Sequence, residues 1–85
     1  MITARQMRAA RALLGMDQRA LADASGVSVP TIRRMEASMA NVRANVDTLV
    51  KVVEALDRAG VELIGEGAAS SPGGRGVRLK SGSTR

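Results

Sequence analysis

Apolar residues recur every three or four positions along most of the first 59 residues, which is the spacing of helices that pack one face against a core. Near the start of the chain, the residues at this spacing are Met7, Ala10, Leu13 and Leu14. Near the end of this segment they are Val46, Leu49, Val50, Val53 and Leu56. Val52 lies outside the second stripe. The pattern predicts amphipathic helices at both ends of the segment, with the two stripes in a shared core.

Start and stop signals divide the segment into four helices. Side chains that can cap a helix start belong to Thr3, Asp17, Ser28 and Asn45. Gln6 follows Thr3 by three residues, the spacing of a capping box. Glycines that can end a helix in the left-handed conformation are Gly15, Gly26 and Gly60. The sequence therefore predicts an all-helical unit over residues 1–59.

The middle of the unit, residues 18–35, has the spacing of two short helices joined by a tight turn. Ala22 is small enough to let two helices cross closely, and Val27 can fill the turn after Gly26. Ile32 and Met35 are three residues apart and should point into the core. The outer face of the second short helix is then left to Val29, Pro30, Arg33 and Arg34.

Beyond Gly60 the pattern changes from helical spacing to that of strands. Residues 61–64 have strand composition, and residues 76–80 alternate apolar and basic side chains. A run rich in Gly and Ser separates them, so a hairpin with a long loop is predicted; the alternative is a disordered basic tail. A lone hairpin is marginal in water. We therefore expect residues 60–80 to dimerise the protein, through Val61, Leu63, Val77 and Leu79. Residues 81–85 are expected to fray.

The net positive charge of the chain points to a polyanionic partner. The 85 residues carry a net charge of +5, with a pI of about 11.4. Residues 1–64 hold nine Lys or Arg against seven Asp or Glu, and residues 65–85 hold four against one. This balance suits a polyanion such as nucleic acid, although small basic proteins often bind none.

Composition excludes several other functions. The chain has no Cys, His or aromatic residue, so thiol chemistry, histidine ligands and base stacking on aromatic platforms are absent. It also contains no acidic cluster with the spacing of a metal-binding loop. We expect no metal, no cofactor and no enzymatic activity. The absence of an apolar run long enough for a membrane span and of a secretory signal predicts a cytoplasmic protein without a membrane partner.

The register of the central residues resembles the Xre/Cro-type helix-turn-helix of phage repressors and small bacterial regulators. The matching residues are Gln18, Leu21, Ala22, Gly26, Val27, Ser28, Thr31, Ile32 and Glu36. The resemblance extends from about Met7 to Leu56. It implies a mainly α fold, with a four-helix domain that binds double-stranded DNA, here followed by the predicted strand pair.

The resemblance also implies roles for individual residues. Base contacts would come from Val29, Pro30, Arg33 and Arg34. Contacts to the DNA backbone would come from Gln18, Ser28, Thr31, Asn41 and Arg43. An ion pair between Arg11 and Glu36 would tie the first helix to the end of the recognition helix. The neighbouring Arg5 and Arg8 could contact phosphates, but a solvated face is the favoured interpretation.

Together these features predict a sequence-specific transcription regulator in the bacterial cytoplasm, associated with the nucleoid when bound. We expect a homodimeric repressor that reads a palindromic operator in the major groove with residues 29–37. The alternative is an antitoxin or antiactivator that acts by binding a partner protein.

Overall fold

The computed structural model describes residues 2–38, 44–65 and 75–80. The elements in chain order are helices α1 (Ala4–Leu14), α2 (Gln18–Ser25), α3 (Val29–Glu36) and α4 (Val46–Ala59) and strands β1 (Val61–Ile64) and β2 (Gly76–Leu79). The predicted helices and the strand pair are thus confirmed. The segments 39–43 and 66–74 and the tail 81–85 lie outside the described residues.

Each helix begins directly after the residue that the sequence predicts as its cap. The capping bonds run from the backbone N–H of Gln6 to Thr3 (3.1 Å), of Ala20 to Asp17 (2.8 Å), of Thr31 to Ser28 (3.3 Å) and of Thr48 to Asn45 (2.8 Å). The capping box at the start of α1 is complete, because the Gln6 side chain also accepts from the Thr3 N–H at 2.9 Å. Local chemistry therefore sets where the helices start.

The four helices pack around one apolar core. Its largest fully buried side chains are Ile2, Met7, Leu21, Ile32, Met35, Leu56, Val52 and Val61. Every described helix contributes to it, and so does the first strand. Ala10 and Ala22 are also buried, and their small side chains allow the helices to approach closely.

The buried face of α4 differs from the prediction. Val46 is 68% exposed and Val50 is 44% exposed, whereas Val52 is fully buried. The inward residues are Leu49, Val52, Ala55 and Leu56. Helix α4 has valines on several adjacent positions, so periodicity alone allows two neighbouring faces. The buried face is the one that includes the small Ala55, which is 2% exposed.

The predicted burial of Leu13 is also wrong, since this side chain is 44% exposed. The buried face of α1 is formed by Ala4, Gln6, Met7 and Ala10. Leu14 is half-buried against the core. Because Leu13 lies to one side of that face, it reaches the surface of the chain.

The two strands form an antiparallel hairpin that packs against the helices of its own chain. Val61 pairs with Leu79 and Ile64 with Gly76. The Nε2 of Gln6 donates to the carbonyl oxygens of Ile64 (3.1 Å) and Gly76 (3.0 Å), one on each strand. Through these two hydrogen bonds the buried amide of Gln6 holds both strands against α1.

Candidate nucleic-acid interface

The turn between α2 and α3 fixes the angle between the two helices. Gly26 ends α2 with φ of 76°, a left-handed conformation that side chains rarely adopt. Val27 is buried beneath the turn, and its N–H donates to the hydroxyl of Ser25 at 3.3 Å. Ile32 and Met35 anchor the inner face of α3 in the core. The opposite face of α3 is consequently held outward as a unit.

The outward face of α3 is basic. Pro30, Arg33 and Arg34 are exposed, while Val29 is half-buried against the core. No acidic residue lies on this helix before Glu36, its last residue, which is buried. The face therefore offers two cations next to an apolar patch made by Val29 and Pro30.

A short chain of polar contacts runs along this face. The hydroxyl of Ser28 donates to Thr31 Oγ1 at 3.0 Å, and Arg34 Nη2 donates to the same oxygen at 3.4 Å. The second contact is long and hence weak. It places the Arg34 guanidinium along α3 but leaves most of its five N–H groups for a ligand.

Beneath the face, Glu36 is the centre of a buried polar cluster. Its carboxylate accepts from Arg11 Nε and Nη2, both at 2.7 Å, and from Gln18 Nε2 at 3.1 Å. Glu36 is 5% exposed. The hydrogen bond and the charge of Glu36 raise the pKa of Arg11 further above its ordinary value, against the opposing effect of burial. The structure thus brings Arg11 and Glu36 together as an ion pair and adds Gln18 to it.

Two arginines hold the carboxyl ends of the two central helices. Arg8 donates to the carbonyl oxygen of Glu36 at the end of α3. Arg58 donates to the carbonyl oxygen of Ala24 near the end of α2, at 3.1 Å. Both positions are favourable for a cation, because unpaired carbonyl groups make the carboxyl end of a helix negative. Arg8 is exposed, in keeping with the favoured solvated face, but its contact with α3 is not predicted from the sequence, where its only local signal is that it precedes Arg11 by three residues.

The other predicted backbone contacts are only partly described. Gln18, Ser28 and Thr31 lie at the amino ends of α2 and α3, where unpaired N–H groups favour anions. Asn41 and Arg43 lie outside the described residues. Nothing in the described part therefore bears on their predicted role.

The four residues predicted to dimerise the protein differ in how far their own chain covers them. Val61 is 1% exposed and belongs to the core. Leu63 and Val77 are half-buried against that core. Leu79 is 50% exposed. Of the four, Leu79 has the largest surface for a second copy.

A family model described as helix-turn-helix matches residues 7–63, from the second turn of α1 through most of β1. No curated protein matches the chain. None of the described helices is long and apolar enough to cross a membrane. In the described ranges, no group of three or more acidic residues could hold a metal ion.

Proposed function

We propose that this chain, which belongs to the Xre/Cro-type helix-turn-helix family of DNA-binding regulators, is a dimeric repressor that reads the major groove with α3. The observation that carries the proposal is the exposed basic face of α3, held outward by Ile32 and Met35. An α-helix fits the major groove, where base edges present distinct hydrogen-bonding patterns.

In this proposal Arg33 and Arg34 read base edges. A guanidinium can bond O6 and N7 of guanine together, which discriminates against a wrong base by about 1–3 kcal/mol. Val29 and Pro30 supply apolar contacts, such as those with a thymine methyl group. Because Pro30 has no N–H, the face has few other donors, and we expect the two arginines to dominate base readout.

Phosphate contacts then set the orientation of α3 in the groove. We assign them to Gln18, Ser28 and Thr31, with Asn41 and Arg43 as further candidates. Gln18 donates one amide N–H to Glu36, and its second N–H can donate to a phosphate oxygen. The buried cluster at Glu36 would thereby fix the side chain that positions the protein on the backbone.

Repression requires more sequence than one α3 can read. A single recognition helix covers about four base pairs, too few among the roughly 10⁶ competing sites of a genome. A two-fold dimer doubles the recognised sequence and separates the half-sites by about 34 Å, one helical turn. A palindromic operator occupied in this way would exclude the polymerase.

We place the dimer contact on the hairpin. Leu79 is exposed on β2, and a two-stranded sheet has edges whose backbone groups can pair with another chain. Val61 serves its own core, so the contact would use the outer surface of the hairpin. Leu79→Lys should convert a dimer to a monomer in sedimentation equilibrium at micromolar concentration and leave the helical content unchanged.

Fluorescence anisotropy of labelled duplex DNA tests the proposed function. The label must be on the DNA, because the protein has no Trp or Tyr. We expect DNA from upstream of the protein's own gene to bind at least about 10³-fold more tightly than scrambled duplex at physiological salt. Equal binding of both duplexes, with a steep loss at higher salt, would indicate phosphate attraction alone and contradict the proposal for this operator.

The alternative function, an antitoxin or antiactivator that covers a partner protein, is favoured by a different surface. Val46 and Val50 are one helical turn apart and exposed on α4. Val50 also lines a shallow groove of about 270 Å³, together with Leu49, Val53 and Glu54. Such an apolar patch is a candidate protein-binding surface.

The double variant Val46→Lys/Val50→Lys distinguishes the uses of this surface. If the hairpin forms the dimer, the variant should dimerise and bind DNA as the parent does. A monomeric variant would instead identify α4 as the dimer interface and overturn the assignment to the hairpin. Failure of the parent to bind any duplex, with its dimer intact, would favour the partner-binding function.

A further inference from the structure

A groove of about 640 Å³ lies between α1 and β2, on the side of the chain where α3 ends. Residues from the first two turns of α1 form one wall, and residues 75–77 form the other. Ser38, two residues beyond α3, also lines the groove. The volume is within the usual range of small-molecule sites, about 300–1,000 Å³.

The groove is lined by three arginines, Arg5, Arg8 and Arg75, and no described residue that lines it is acidic. Arg5 makes no hydrogen bond or ion pair with another described residue. Arg8 uses one guanidinium nitrogen to hold the carbonyl of Glu36, and its remaining N–H groups are available. Two or more guanidinium groups converging on one cavity are suited to carboxylate or phosphate groups, which they can bond in pairs.

The Gln6 side chain holds the two walls of this groove together through hydrogen bonds. The amide of Gln6 donates to Ile64 and Gly76 and accepts from Thr3. It therefore has no role left as a ligand-binding group but fixes β2 against α1. The spacing between Arg5 on the helix and Arg75 beside the strand is thereby set before any ligand arrives, which lowers the entropic cost of binding.

The helix end adds to the positive potential. Thr3 and Ala4, at the start of α1, line the groove. The amino end of an 11-residue helix carries a partial positive charge from aligned peptide dipoles. This charge and the guanidinium groups of Arg5 and Arg8 act in the same direction.

We propose that this groove is a binding site for a small organic anion that carries two or more carboxylate or phosphate groups. DNA is the less suitable occupant, because the groove is concave and the residues assigned to base contact do not line it. The proposal does not depend on the proposed repressor function. Since Arg8 also holds the end of α3, an occupied groove should alter the surroundings of Ala37 and Ser38.

Isothermal titration calorimetry tests this site with two probes, citrate and inorganic pyrophosphate, at constant ionic strength. We expect at least one probe to bind once per chain with a dissociation constant below about 1 mM. The variant Arg5→Gln should weaken that binding at least tenfold, and Arg5→Gln/Arg75→Gln should weaken it no less. Both changes remove charge without touching the apolar core, so the variants should fold.

Arg19→Gln is the matched control, because it removes the same charge from an exposed position on α2. It should keep the affinity for the probe within twofold. Equal losses in Arg5→Gln and Arg19→Gln would show attraction to overall charge and overturn the proposal. The proposal would also be overturned if neither citrate nor pyrophosphate binds at concentrations up to ten times the expected limit of about 1 mM.

Nuclear magnetic resonance and DNA binding give independent readouts. When the probe that binds is added, the amide chemical shifts of residues 3–9, 37–38 and 76–77 should change, while those of residues 18–25 should remain unchanged.

DNA binding by the same variant separates the groove from the DNA-binding surface. Arg5→Gln should leave the affinity for DNA within twofold of the parent. If it weakens DNA binding and no probe binds, the groove contacts phosphates of DNA and the small-anion site is refuted.

Discussion

Arg11 and Glu36 are joined by two hydrogen bonds of 2.7 Å, one from Nε and one from Nη2. The pair connects the last turn of α1 to the last residue of α3. Arg11 also donates to the carbonyl oxygen of Met16 at 3.2 Å, so it closes the link between α1 and α2 as well. One guanidinium therefore sets the positions of three helices relative to one another.

Glu36→Ala should destabilise the fold. The change leaves Arg11 and Gln18 without their shared acceptor in a partly buried site. Loss of one partner of a buried pair costs about 3–5 kcal/mol, and the 18% exposure of the Arg11 side chain reduces our expectation to about 2–4 kcal/mol. Urea unfolding followed by far-ultraviolet circular dichroism measures it.

Asp23→Ala is the control, since its 3.8 Å contact with Arg19 is fully on the surface. We expect it to change the free energy of unfolding by less than about 0.5 kcal/mol. If Glu36→Ala were as mild as this control, the buried pair would not contribute to holding α1 and α3 together.

Substitution of Arg34 separates base readout from charge. Arg34→Ala should lower affinity for the operator by about 1–3 kcal/mol. Arg34→Lys keeps the charge but loses the planar fork, so it should lose most of the discrimination and keep the salt dependence of the parent. Anisotropy with operator and scrambled duplexes at two salt concentrations measures both. A lysine variant with full specificity would assign Arg34 to a phosphate.

Gln6→Glu should release the hairpin without disturbing the start of α1. A carboxylate can still accept from the Thr3 N–H, but it cannot donate to Ile64 or Gly76. Two carbonyl groups lose their partner, so we expect a loss of about 1–3 kcal/mol and faster amide hydrogen exchange in β1 and β2. Thr3→Ala is the complementary variant: it removes the cap and should leave exchange in the strands slow. Equal exchange in both variants would contradict the role of Gln6.

The pair Glu62–Arg78 predicts a pH effect on the hairpin. The hydrogen bond and the charge of Arg78 lower the pKa of Glu62 below its ordinary value of 4.5. Because the folded pKa is the lower one, the pair stabilises the fold above about pH 4.5, and this contribution is lost as the pH falls through the folded pKa.

A carbon-13 titration of the Glu62 carboxyl group measures this shift directly. Arg78→Ala should raise the midpoint toward its ordinary value, with the smaller effect of Lys80 remaining, whereas Lys51→Ala, on α4, should leave it unchanged. An unshifted midpoint in the parent protein would show that solvent screens the pair completely.

The local part of the fold could be predicted from the sequence because its causes are local. Thr3, Asp17, Ser28 and Asn45 cap helices that begin directly after them, and Gly26 ends α2. Such signals act within a few residues, so composition and spacing contain them. The basic face of α3 followed from the same reasoning, since it is what remains once Ile32 and Met35 point inward.

What the sequence did not predict depends on packing between distant elements. Val52 rather than Val50 faces the core because of how α4 lies on its neighbours. Arg8 reaches the end of α3, and Gln6 reaches two strands, across 28 and at least 58 residues respectively. No local pattern in the chain specifies these partners, so they appear only once the helices are placed.

The hydrogen bonds of Gln6 also impose an order on folding during synthesis. Gly76 leaves the ribosome 70 residues after Gln6, which at usual rates of translation takes roughly 3–14 s. The turn between α2 and α3 needs no such wait, because it closes within microseconds, whereas α4 must first be synthesised to complete the helical core. In a nascent chain the amide of Gln6 would therefore stay paired with water after α1 to α4 have formed, and docking of the hairpin onto α1 would be the last step.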